Sequence, residues 1–297
     1  MNDLVRGCGV ALVTPFDNGE IDYGDLGKLV EMHVKHSGSI IVAGTTSEAS
    51  TLTDEEYGAL VEFVIDKVNK RIPVIAGAGS NCTATVVKNA QFCDKAGADG
   101  LLIVSPYYNK TTQRGLIHHY RIIAESTRLP IIIYNVPART GMNIEPATVL
   151  ELAKINNIVG IKEASGDISQ VAEIIRICPE DFLVYSGNDD MVIPLMSLGG
   201  QGVISVTANI LPAEMRKMVD SYRDGNIQEA RNAQLKLNGI NNALFIETNP
   251  IPVKEAMSIM KMCSAEVREP LYPMSRENRE KLIEELELYG NILEPAL

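Results

Sequence analysis

The chain has 297 residues, enough for one large α/β barrel or two ordinary domains, and its 45% hydrophobic content supports a substantial core. A net charge of −11 disfavours nucleic acid and anionic membrane surfaces as partners, and no apolar run reaches the ~18 residues of a membrane span. No N-terminal stretch pairs a basic region with an apolar segment and a small-residue cleavage site, so cytoplasmic residence is expected.

Short apolar, β-branched runs recur along the chain with helical patterns between them. They cover Gly9 to Thr14, Ser39 to Gly44, Pro73 to Gly77, Leu101 to Ser105, Ile131 to Asn135, Ile158 to Glu163, Leu183 to Gly187 and Val203 to Thr207. Strands that do not alternate polar with apolar are strands buried on both faces, as in a parallel sheet covered by helices. Eight strand-helix units suggest a closed (β/α)8 TIM barrel, with an open doubly wound sheet as the competing architecture. Beyond the eighth run, helices are predicted at Ala213 to Arg223, Ile227 to Phe245, Val253 to Met260 and Arg276 to Leu288. The first completes the barrel, so the expected organisation is a barrel over residues 1–224 and a C-terminal helical extension over 225–297 packed on it.

Two observations favour the barrel. Nearly every run ends in reactive or small residues, and barrel active sites are assembled at the C-terminal ends of strands. A dinucleotide signature is also missing: Gly77-Ala78-Gly79 lacks the third glycine of GxGxxG, and Gly199-Gly200-Gln201-Gly202 precedes a strand rather than opening a helix. Cys8, Cys82, Cys93, Cys178 and Cys263 are scattered without a CxxC pair, which reads as free thiols. His33 with His36, and His118 with His119, find no third ligand at a usable local spacing, so no metal is expected. Asp189 and Asp190 read as solvated loop acids.

Lys162 stands next to last in the run Ile158 to Glu163. A lysine drawn into a partly dry pocket loses solvation of its charged form, and its neutral amine can attack a carbonyl; the competing reading is a lysine that leaves a buried strand and snorkels into water. Period-two alternation places Gly160, Lys162 and Ala164 on one face and Val159, Ile161 and Glu163 on the other. Tyr134 ends the preceding strand, ~4.8 Å away if the two are neighbours, where its phenol could shuttle protons or simply pack. Thr45 and Thr46 follow Gly44 and could bind a carboxylate or cap a turn. Arg139 suits a carboxylate or a surface ion pair. Glu163 is expected to pair with a neighbouring cation, and the sequence assigns it no catalytic role.

Together, Gly44-Thr45-Thr46-Ser47-Glu48, Ser105-Pro106-Tyr107-Tyr108-Asn109, Tyr134-Asn135-Val136-Pro137-Ala138-Arg139-Thr140-Gly141, Gly160-Ile161-Lys162-Glu163-Ala164-Ser165-Gly166 and Gly202-Val203-Ile204-Ser205-Val206 strongly resemble the dihydrodipicolinate synthase family. The resemblance spans nearly the whole chain, including Glu247-Thr248-Asn249-Pro250-Ile251-Pro252-Val253-Lys254. It implies a Schiff-base lyase that condenses pyruvate with L-aspartate 4-semialdehyde to 4-hydroxy-tetrahydrodipicolinate for lysine biosynthesis. By that resemblance Lys162 carries the pyruvate imine without metal or organic cofactor. Tyr134 relays protons, linked through Thr45 to Tyr108, which enters from the neighbouring subunit of a homotetramer built from tight dimers. Thr46 holds the pyruvate carboxylate, Arg139 the semialdehyde carboxylate, and Gly187 and the Ile204 carbonyl line the pocket.

The chain departs from the family in two places. Ser47 and Ala49 stand where Gly-Glu-Ser usually follows the threonines, and activity is expected to survive. Lysine-inhibited members carry histidine and glutamate at positions matching Asp54 or Tyr57 and Thr85, so weak or absent feedback inhibition is expected although Asn81 and Tyr107 are kept. The alternatives are a related lyase acting on N-acetylneuraminate or 2-keto-3-deoxy sugar acids, disfavoured by Arg139 and the paired threonines, and a catalytically silent barrel that binds ligands.

Overall fold

The computed structural model describes residues 4–5 and 7–290, so residues 1–3 and 6 of the predicted barrel and 291–297 of the predicted extension lie outside the described residues. Eight strands close a parallel barrel: β1 Cys8–Ala11, β2 Ser39–Val42, β3 Val74–Gly77, β4 Gly100–Val104, β5 Ile131–Asn135, β6 Ile158–Glu163, β7 Leu183–Ser186 and β8 Gly202–Ser205. They follow chain order around the ring, and β1 pairs with both β2 and β8. The doubly wound alternative is thereby excluded.

Side chains explain the closure. Ile41, Ile75, Leu102, Ile132, Leu183 and Ile204 fill the barrel interior with Leu4 and Val5. Their chain neighbours Ile40, Val74, Leu101, Ile131 and Val203 point outward and pack beneath the surrounding helices. Each strand buries both faces, which is why its sequence reads as a continuous apolar run.

Most strands stop short of their sequence runs. Thr14, Gly44, Ser105, Gly187 and Thr207, expected as strand ends, lie beyond the ladder, where the chain turns away to build loops. A hairpin pairing Phe16–Asp17 with Glu20–Ile21 was not expected. Its signal is Asn18-Gly19, both with positive φ, the two-residue turn that matches strand twist.

The predicted face of Val159 is corrected. The β5–β6 register slips between Ile131 and Ile132, which pair with Ile158 and Gly160, so Val159 is the extra residue of a bulge and packs toward the barrel interior. Beyond it, Ile161 packs outward, while Lys162 and Ala164 face the interior.

The predicted C-terminal helices are found at Pro212–Arg223, Ile227–Ala243, Ile251–Ile259 and Arg276–Tyr289. The second buries Leu237 and Ile240, and its Gln234 and Asn241 donate to the Asp189 carbonyl at 2.9 and 3.1 Å. Asp189 itself corrects the expectation of two solvated acids. Asp190 is exposed, but Asp189 is buried and its Oδ2 accepts from Val206 N and Thr207 N at 2.9 Å each. Burial pushes this carboxyl up, against the hydrogen bonds from Ser205 and the two amides. The acid ties the end of β8 to the loop after β7.

Candidate active site

Lys162 sits near the C-terminal end of β6 and is 5% exposed. Burial pulls its amine down to about 8; Arg139 acts in the same direction and Asp189 against it. At pH 7 roughly one amine in ten is therefore neutral. The ladder pairs Lys162 with Tyr134 on β5 and Tyr185 on β7, and Nζ lies 4.5 Å from the centroid of the Tyr134 ring. The Tyr134 phenol is pushed up to about 12 by burial, with Arg139 and a hydrogen bond to Thr45 working against that and Glu163 adding to it. Such a phenol is protonated at neutral pH and can donate before it accepts.

Space beside the amine comes from Gly187. A Cβ there would lie 2.6 Å from Ala164 Cβ and 3.0 Å from Lys162 Cε. The resulting cavity, about 560 Å³, is lined by Thr45, Thr46, Tyr134, Arg139, Lys162 and Gly187 among others. Thr46 is buried and accepts from Asn249 Nδ2 at 3.0 Å, beside the more exposed Thr45. Arg139 stands at the mouth, where its Nη2 donates to the Asn249 carbonyl at 3.0 Å. Hydroxyls beside the lysine and a guanidinium farther out suit oxygen-rich substrates that carry carboxylates.

Two residues of the predicted constellation lie elsewhere in this chain. Tyr108 is 90% exposed with φ +67°, and the cavity wall takes Tyr107 instead. Ile204 is buried in the inner apolar cluster, and the cavity lining on that side comes from Val206, one residue past the end of β8.

Glu163 corrects the expected ion pair. Its carboxylate accepts from Asn135 Nδ2 at 3.2 and 3.0 Å, Ser165 N at 2.7 Å and Gln170 Nε2 at 3.1 Å, so amides take the place of a cation. Ser47 is absorbed without positive φ: its hydroxyl donates to the Leu12 carbonyl, and its own carbonyl accepts from Thr14 Oγ1 at 2.8 Å. The positive φ of this turn falls on Glu48. The sequence alone gives Asn249 no role. It lies some two hundred positions from Thr46, with no local pattern to join them. Among the described residues, no group of three His, Cys, Asp or Glu side chains could hold a metal ion.

A partly neutral amine at the end of a barrel strand, with a phenol beside it and hydroxyls for an acid, is the arrangement of a barrel lyase that works through a Schiff base. The chain matches the dihydrodipicolinate synthetase family over residues 4–288 and belongs to it. It is 55% identical to the 4-hydroxy-tetrahydrodipicolinate synthase of a Thermoanaerobacter species, covering 98% of this chain and 99% of the relative. The enzyme of the same name from Acetivibrio thermocellus is 53% identical, over 97% of this chain and 99% of its own. The crystal structure of dihydrodipicolinate synthase from Thermotoga maritima superimposes with a TM-score of 0.95 at 43% identity, covering 96% of this chain and 99% of that one.

Proposed function

We propose that the chain condenses pyruvate with L-aspartate 4-semialdehyde to give 4-hydroxy-tetrahydrodipicolinate, the step of lysine and diaminopimelate biosynthesis carried by its family, through an imine on Lys162. The observation that carries the assignment of roles is the buried amine lowered to about 8, against a phenol, on the wall of the cavity.

The neutral amine attacks C2 of pyruvate, and the carbinolamine loses water to form a protonated imine. Tyr134, connected to Thr45, donates the proton that lets the hydroxyl leave. The imine withdraws electrons, so the pyruvate methyl loses a proton and the resulting enamine attacks the aldehyde carbon. The semialdehyde's amino group then adds to the imine carbon, expelling Lys162 as free amine and closing the ring. No metal or organic cofactor enters this sequence. Thr46 receives the pyruvate carboxylate, Thr45 links Tyr134 to Tyr108 in the proton relay, and Arg139 receives the carboxylate of the semialdehyde.

Gly187 leaves room for the imine, and the Ile204 carbonyl closes the pocket from β8. Tyr108 acts in a neighbouring copy's site; its 90% exposure supports a side chain presented outward. The assembly is a homotetramer of tight dimers. We place it in the cytoplasm, in keeping with five unpaired thiols, and take residues 225–297 as an extension packed on the barrel. The test is coupled turnover of pyruvate with the semialdehyde, run beside N-acetylneuraminate and 2-keto-3-deoxy sugar acid cleavage, for wild type and Lys162→Ala. Semialdehyde-dependent pyruvate consumption lost in the variant is expected; sugar-acid cleavage alone would move the chain to the other lyases.

A further inference from the structure

The turn that carries Thr45 and Thr46 continues away from the cavity. It is closed by Glu48 N on the Thr45 carbonyl at 3.0 Å, and Glu48 itself takes φ +55°, a left-handed conformation uncommon for a residue with a side chain. Its carboxylate points into the protein. Oε1 accepts from Lys254 Nζ at 2.7 Å and Oε2 from Arg268 N at 2.9 Å. Both side chains of the pair are within 1% of full burial. The Lys254 ammonium lies 4.2 Å from the Phe16 ring centroid and the Arg268 guanidinium 4.3 Å from it, while Arg268 is anchored by Glu56 and the Gly19 carbonyl.

A buried ion pair is a weak way to stabilise a fold, because desolvation offsets most of the attraction and apolar residues of similar volume often serve as well. What it supplies is direction at hydrogen-bond distance. Here that direction is imposed on the turn, and by the same segment that supplies Asn249, whose Nδ2 reaches Thr46 Oγ1. The C-terminal segment thus grips the turn at Thr46 and at Glu48.

We infer that Glu48 and Lys254 are positioning residues: their buried pair lets the helix Ile251–Ile259 and the turn before it hold the Thr45–Thr46 turn in the geometry that receives the keto acid's carboxylate. The inference rests on the reading of that turn given above, and its test separates the two. Single replacements strand a buried charge, so the decisive variant is Glu48→Gln with Lys254→Met, which removes both charges. Steady-state kinetics for each substrate, thermal unfolding and borohydride trapping of the pyruvate adduct are compared with wild type.

The double variant is expected to melt within about 5 °C of wild type. Its KM for pyruvate should rise about tenfold while that for the semialdehyde stays within about twofold, and the adduct should still be trapped at saturating pyruvate. An unchanged pyruvate KM in the folded double variant, or an equal rise in both KM values, overturns the inference. Should that variant not fold, Glu48→Asp, one methylene shorter, is read for the same split, and its absence is equally decisive. Failure of wild type itself to form a pyruvate adduct would instead overturn the site reading, with no reference to Glu48.

Discussion

Lys162 Nζ stands 4.5 Å from the centroid of the Tyr134 ring, and the β5–β6 ladder pairs the two residues directly. The amine is drawn down to about 8 and the phenol up to about 12 by the same burial. Over the range between these values the nucleophile is neutral and the acid still protonated, the pairing that imine formation requires.

Adduct formation should therefore follow the amine. With pyruvate below saturation, the rate of borohydride-trappable adduct rises about tenfold per pH unit below 8 and levels off above it. Lys162→Ala should abolish the adduct and lower turnover by at least ~10³-fold. A pH-independent trapping rate between 6 and 8 would show that the amine is not the titrating group.

The same shift acts on stability. The lysine titrates near 8 folded and 10.5 unfolded, so between those values the unfolded chain holds the extra proton and stability rises with pH. The penalty of the buried ammonium is fully present below about 8 and is relieved toward 10.5. Lys162→Met should accordingly melt higher than wild type at pH 7, by roughly 5 °C, with the gain shrinking as pH rises to 10. Equal melting temperatures at pH 7 would contradict a penalty from burial at this position.

Gly187→Ala tests the space beside the amine. The added methyl would meet Ala164 Cβ at 2.6 Å and Lys162 Cε at 3.0 Å, so the lysine must shift. We expect a folded protein with kcat reduced about 10- to 100-fold, since displacing a reacting group by a fraction of an ångström costs on that scale. Wild-type kcat would mean that the lysine has slack the structure does not show.

Feedback by lysine should be weak or absent. Asp54, Tyr57 and Thr85 line the same cavity, and the one carboxylate among them, Asp54, is largely exposed and pairs with Lys88 Nζ at 2.6 Å. A bound lysine's ammonium would lack the glutamate partner that inhibited members supply. Turnover measured up to millimolar lysine should be unchanged; an inhibition constant in the low micromolar to sub-millimolar range would overturn this.

The barrel was legible because its strands are continuously apolar and end in chemistry-bearing residues, and Lys162 because a cation at such an end asks for a reason. The expected meeting of Tyr134 with Lys162 needs only adjacent strands in phase, which the ladder provides. The bulge at Val159 was hidden, since a one-residue slip leaves no mark in an apolar run. Asp189 and Glu163 were misjudged for a shared reason. Their partners are backbone and side-chain amides, which carry no charge and form no charge pattern to read. The Glu48–Lys254 pair joins residues separated by most of the barrel, a distance over which a single sequence gives no register.

Tyr108 offers a test of assembly that needs no structural comparison. Its side chain is 90% exposed while Tyr107 lines the chain's own cavity, so a catalytic contribution from Tyr108 must be made to a neighbouring copy. In a two-fold dimer such a contribution is reciprocal. Lys162→Ala and Tyr108→Phe should each be strongly impaired when pure. Unfolded, mixed in equal amounts and refolded together, half of the dimers pair the two variants. In those, the subunit that keeps Lys162 also receives an intact Tyr108. Activity should return to about a quarter of wild type, the share of sites that are complete under random two-fold pairing. Mixing that restores no activity beyond the average of the two variants would place Tyr108 outside the partner's site.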